Sequence, residues 1–95
     1  AGPTPNVFSY DSSNLTDVDI ALTASNDGPA LLAFYSEGPN GLRLLENVFT
    51  DAQGRYSGDL RLPAHLNQVV VVVRTSDREN SFTLPIVDGA ISYLE

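Results

Sequence analysis

Five consecutive valines, Val69 to Val73, constrain this chain more than any other feature. β-Branched side chains lose rotamer freedom in a helix and pack well on a pleated surface, so a run of five demands an extended strand. In a two-sheet sandwich one face of a strand meets the core and the other meets water, and valine at both parities therefore requires cover on the second face too. Long loops, the N-terminal segment, a neighbouring domain or another copy of the chain would each supply it. Left bare, the run is an aggregation hazard, with Arg74 as its adjacent charged gatekeeper.

The residues leading into the valines predict the rest of a core. Val48-Phe-Thr50 reads as a strand end, Asp51 to Gly54 as a tight turn, and the next stretch as a strand in which Tyr56, Gly58, Leu60 and Leu62 alternate with Arg55, Ser57, Asp59 and Arg61. Such a strand has one wet face. Gly54 supplies the positive φ that the turn needs, Asp51 can accept backbone N–H bonds inside it, and the pattern predicts a hairpin there. After Pro63, a bridging turn over Ala64 to Asn67 delivers the chain to the valine strand.

Elsewhere the pattern is strands punctuated by turns. Ala1 to Asn6, with two prolines, reads as an extended leader or linker, and residues 7–95 as a single domain. Val7 to Tyr10 reads as an edge-like first strand and Asp11 to Thr16 as a turn-rich connection. Asp17 to Thr23 places Val18, Ile20 and Leu22 on one face, the clearest two-faced strand of the first half. Asn26-Asp-Gly-Pro29 is a turn, Ala30 to Ser36 a central strand, and Glu37 to Gly41 a loop. Leu42 to Thr50 carries both helical and strand signals, and the turn that follows it favours a strand. Beyond the valines come a charged turn at Ser76 to Asn80, a strand over Ser81 to Ile86, a turn at Asp88-Gly89 and a closing strand, Ala90 to Leu94. Turn signals this frequent predict an all-β, antiparallel-rich sandwich of seven to eight strands, prealbumin-like or Ig-like in architecture.

Composition narrows the chemistry. The 95 residues suffice for one modest core. A formal charge of −7 repels phosphate backbones and anionic membranes, which disfavours nucleic acid as a partner. All basic residues are arginine (Arg43, Arg55, Arg61, Arg74 and Arg78), so Schiff-base and lysine isopeptide chemistry are excluded. The absence of cysteine removes disulfides, thiolate nucleophiles and cysteine-bound metals. No apolar run approaches the roughly 20 residues that span a bilayer, and Ala-Gly-Pro-Thr-Pro at the start is not a signal peptide.

The run Thr50-Asp-Ala-Gln-Gly-Arg-Tyr56 resembles the turn of prealbumin-like β-sandwich modules, including the carboxypeptidase regulatory-like domains. Extended through Ser57-Gly58, Leu60-Arg-Leu-Pro63 and His65-Leu66, it looks most like the domain that precedes the LruC domain in bacterial exported proteins. The resemblance covers residues 17 to 87 and is specific to fold rather than function. It implies a non-catalytic structural or adhesive module of a secreted, cell-surface or periplasmic protein, with Thr50, Asp51, Gly54 and Tyr56 as a structural turn. Modules of this kind that crosslink themselves need lysine, which this one lacks.

Candidate sites are few. His65 is the only histidine, and a triad would need a serine and a carboxylate brought to it by the fold; no Gly-x-Ser-x-Gly elbow presents such a serine. Asp11, Asp17, Asp19 and Asp27 offer hard oxygen ligands for calcium without the spacing of a calcium loop, and read chiefly as a solvated acidic face. No cofactor is implied. Asp77 to Asn80 reads as a charged hairpin tip, and Asn14-Leu-Thr16 has the form of a glycosylation sequon. The partners expected are proteins, whether neighbouring domains or other copies of the chain. Val7, Phe8, Tyr10, Val70 and Val72 are the candidate contact surface. Two alternatives stand beside the structural module. One is a filament subunit that exchanges its N-terminal strand, and the other is a carbohydrate- or calcium-binding module that stacks sugars on Tyr10, Tyr35, Tyr56 or Tyr93.

One residue tests the turn directly. Gly54→Val should lower the melting temperature strongly, because a β-branched side chain clashes with the backbone at positive φ; an unchanged melting temperature would refute the turn.

Overall fold

The computed structural model describes residues 13–23 and 28–95. Seven strands follow in chain order: β1 (Ser13–Ala21), β2 (Leu31–Gly38), β3 (Gly41–Phe49), β4 (Arg55–Pro63), β5 (Gln68–Arg74), β6 (Glu79–Pro85) and β7 (Ala90–Leu94). They form a β-sandwich of two sheets, ordered β4-β1-β7 and β3-β2-β5-β6. All pairs are antiparallel except β1 with β7, which run parallel from Asp17 opposite Ala90 to Ala21 opposite Leu94.

Alternation along each strand decides what faces inward. In β1, Val18 and Ile20 are buried between exposed Asp17 and Asp19. In β4, Leu60 and Leu62 are buried while Arg55, Ser57, Asp59 and Arg61 are exposed, as the sequence predicts. The odd-numbered valines, Val69, Val71 and Val73, enter the core with Leu32 and Phe34 of β2, Leu84 of β6 and Ile91 of β7. Phe34 is the largest fully buried side chain. At one margin Phe82 and Tyr93 stack across the sheets with ring centroids 4.8 Å apart, a contact worth about 0.5–1.5 kcal/mol beyond the area it buries.

The Asp51–Gly54 turn does not close a hairpin, which corrects the expectation from sequence. β3 pairs with β2 in the four-stranded sheet, whereas β4 pairs with β1 in the three-stranded one, so the turn carries the chain across the sandwich. Its local chemistry is nevertheless that of a tight turn. The N–H groups of Gln53 and Arg55 both donate to Asp51 Oδ1 at 2.9 Å, the Gly54 N–H donates to the Asp51 carbonyl, and Gly54 has φ +84°. Turn residues fix how the chain reverses locally; which strand the outgoing segment then pairs with depends on distant partners.

Three tie points hold this corner. The Thr50 N–H donates to the Ala30 carbonyl, and the Ala30 N–H donates back to Thr50 Oγ1 at 2.9 Å. The Leu22 N–H donates to the Gly54 carbonyl at 2.8 Å. A Cβ built on Gly54 would lie 3.0 Å from the Leu22 carbonyl oxygen, so the residue must be glycine for closeness as well as for φ. Gly58 has a related role: a Cβ there would lie 2.8 Å from the Tyr56 hydroxyl, so the glycine leaves room for the Tyr56 ring two residues before it.

Other boundaries shift modestly. Ser13 to Thr16 belong to β1 instead of the turn-rich connection, because the ladder with β4 runs on to Ser13 opposite Pro63. The loop at Glu37 to Gly41 shrinks to a tight hairpin tip at Pro39-Asn40, since β2 continues to Gly38 and β3 starts at Gly41. The leader over residues 1–6, the strand at Val7 to Tyr10, and Asn26 and Asp27 of the Asn26–Pro29 turn lie outside the described residues.

Two substitutions test this account. Phe34→Ala should cost about 3–5 kcal/mol, read from the shift in a urea unfolding midpoint. Thr50→Val keeps the side-chain shape but strips the Ala30 N–H of its partner in a buried setting, which should cost about 1–3 kcal/mol; a neutral result would show that the bond does not hold the corner.

Candidate interaction surface

The two outer faces of the sandwich differ in character. On the three-stranded sheet, Asp17 lies directly opposite Asp59, Asp19 opposite Ser57, and Leu15 opposite Arg61. That face is charged, and Asp17 against Asp59 is a like-charge cross-strand pair, an unfavourable arrangement. On the four-stranded sheet the outward rungs are largely apolar. Leu31 sits between Phe49 and Arg74, Ala33 between Asn47 and Val72, and Tyr35 between Leu44 and Val70; Leu42 follows beside Glu37. Beyond Val70 and Val72, the β6 residues Thr83 and Ser81 close the face with hydroxyls.

This face is where the even-numbered valines emerge. Val70 and Val72 are half-buried, lodged between their sheet neighbours. Three larger apolar side chains beside them stand well into solvent: Phe49 is 67% exposed, Leu42 52% and Leu44 48%. Leu44 is exposed on β3, the edge strand of its sheet, and Leu42 lies where the β2–β3 hairpin outruns its neighbour: β2 pairs with β5 only from Leu31 to Tyr35, whereas its ladder with β3 continues to Gly38. A bulge between Phe34 and Tyr35 in that ladder leaves Leu45 without an opposite residue. Bulges of this kind protect an open edge from strand addition. Arg74 pairs with Glu79 at 2.7 Å at the top margin; both are more than half exposed, so the pair contributes at most about 1 kcal/mol.

The candidates read from sequence separate accordingly. Val70 and Val72 do lie on one outer face; Val7, Phe8 and Tyr10 lie outside the described residues. Thr50, Asp51 and Gly54 build the sheet-to-sheet corner described above, and Tyr56 follows in β4. Of the sugar-stacking candidates, Tyr56 and Tyr93 pack against the core, and Tyr35 is half-buried on the apolar face. Asp17 and Asp19 share one face of β1, Asp11 and Asp27 lie outside the described residues, and among the described residues no group of three or more histidine, aspartate or glutamate side chains is placed to hold a metal ion. Within the Asn14-Leu-Thr16 sequon, Asn14 is exposed and Thr16 buried.

His65 lies in a notch of ≈ 330 Å³ with Glu37, Leu66, Asn67 and Gln68, where the β2–β3 hairpin runs past the start of β5. Among the described residues, no hydroxyl side chain lines that notch. A second cleft, ≈ 310 Å³, opens between the sheets at the opposite end and includes Val73, Arg78, Phe82 and Glu95. There Glu95 Oε1 already accepts the Thr23 N–H at 2.7 Å. The sequence does not reveal Leu42, Leu44 and Phe49 as surface residues; the place of β3 at the edge of its sheet exposes them, and Leu42 also lies beyond the end of the β2–β5 ladder.

Among the described residues, no helix is long and apolar enough to cross a membrane. No curated protein and no solved structure matches the chain. A family model described as a domain of unknown function (DUF8469) matches residues 14–94, which run from the second residue of β1 to the last of β7. The match therefore spans the whole sandwich, both sheets and the corner between them, and the chain belongs to the DUF8469 family.

Proposed function

We propose that this domain is a non-catalytic structural or adhesive module of a secreted or cell-surface bacterial protein, acting through protein contacts. One observation carries the reading: β1 enters the sandwich at one end and β7 leaves it at the other. β1 begins beside the end of β4, with Ser13 opposite Pro63. β7 runs parallel to β1 and finishes at the far end, where the Glu95 N–H donates to the Ala21 carbonyl. A module threaded this way transmits length along a polypeptide, as a spacer or stalk unit does. The resemblance of residues 17 to 87 to prealbumin-like modules, including the domain that precedes the LruC domain in bacterial exported proteins, supports the exported setting.

The alternatives have less behind them. A filament subunit built on N-terminal strand exchange rests on Val7 to Tyr10, outside the described residues. A carbohydrate- or calcium-binding module has Tyr56 and Tyr93 committed to the core.

The rod geometry is testable by small-angle X-ray scattering on two copies of residues 1–95 joined in one polypeptide, carrying Leu44→Glu and Phe49→Glu so that apolar faces do not fold the pair together. The maximum dimension should approach twice that of a single copy. A compact particle little longer than one copy would overturn the spacer reading.

A further inference from the structure

We propose that the outer face of the four-stranded sheet docks a second copy of this chain, as a two-fold dimer in which the facing strands run in opposite directions. The inference deepens the contact role proposed above and does not depend on the rod geometry tested there.

Charge selects the face. At −7, two copies repel each other over most of their surface. The outer face of the three-stranded sheet mixes Asp17, Asp19 and Asp59 with Arg55 and Arg61, charges that its approach to a copy of itself would have to desolvate. The four-stranded sheet keeps its charges at the margins, with the Arg74–Glu79 pair at one end and Glu37 at the other. Its centre is apolar and closes without desolvating an unpaired charge.

Shape selects the orientation. A two-fold axis across the strands reverses the order of rungs on β2, so Tyr35 of one copy stands over Ala33 of the other. The largest outward side chain of the strand's centre then meets its smallest. The same operation brings Phe49 to Leu42 and Val72 to Val70, and it sets Glu37 near Arg74 across the interface. A two-fold contact repeats each of these pairings twice. An axis along the strands would instead stack Tyr35 on Tyr35 and leave Ala33 facing a gap.

Area sets the strength. Four strands about 4.8 Å apart, each covering about six residues at about 3.3 Å, give a face on the order of 400 Å². Two such faces lie below the roughly 1,200 Å² of standard stable interfaces. The dimer is therefore weak and reversible, and its population depends on concentration.

Sedimentation equilibrium over a wide concentration range is the test. The wild-type chain should pass reversibly from monomer to dimer, and the Leu44→Glu/Phe49→Glu variant should stay monomeric with an unchanged melting temperature, since both positions are largely solvent-exposed. Orientation is read by crosslinking, because the native chain has no cysteine. A mixture of the single variants Phe49→Cys and Leu42→Cys should form the mixed disulfide in preference to either homotypic one. Wild type that stays monomeric at every concentration, or a charged variant that associates as wild type does, would overturn the proposal. So would a chain lacking residues 1–12 that dimerises where the full chain does not, because the face would then be covered by its own N-terminal segment. Preference for the homotypic Phe49→Cys disulfide would overturn the orientation.

Discussion

The fold depends on burying one wall of β2 and β5 against β1. Phe34 and Leu32 from one sheet, with Val69 and Val71 beside them, meet Val18 and Ile20 from the other, and all six are at most 1% exposed. Burial of this kind is the dominant favourable term in folding and is non-directional, so it forces the sheets together without choosing how the chain crosses between them. β1 matters doubly: it is the central strand of its sheet, antiparallel to β4 and parallel to β7, and the parallel pairing is what returns the end of the chain to the core.

The crossing is chosen by directional bonds at one corner. Thr50 and Ala30 exchange two hydrogen bonds, and Leu22 donates to Gly54, so the end of β3, the start of β2 and the end of β1 are pinned together before β4 begins. The Thr-Asp-x-x-Gly run is conspicuous in the sequence for its turn chemistry. Its second role, letting two backbones approach at Gly54, is invisible there, because Leu22 is far away along the chain. An Asp51 carboxylate that accepts two N–H groups would serve a hairpin equally well, which is why the local pattern points to one.

The two outer faces divide the remaining roles. Aspartates and arginines on the three-stranded sheet keep that side in water. The half-buried Val70 and Val72 and the exposed Leu42, Leu44 and Phe49 give the other side an apolar centre. The β2–β3 hairpin enlarges that side by outrunning β5, and the bulge at Leu45 discourages strand addition at its edge. The contact proposed above therefore lies on the face and not along the edge.

By itself the sequence determined the all-β class, the inward and outward residues of β1 and β4, and the tight turns at Asp51–Gly54 and Asp88-Gly89, because side-chain period and turn chemistry are local properties. It also showed that valine at both parities needs explaining. Only the tertiary structure decided that β3 and β4 part into different sheets, that Ser13 to Thr16 join a ladder, that β7 runs parallel to β1, and that two leucines of β3 stand clear of their neighbours. Each of these depends on which distant backbone satisfies a given N–H or C=O and on where a neighbouring strand stops, and such long-range pairings leave no periodic trace in the residues that make them.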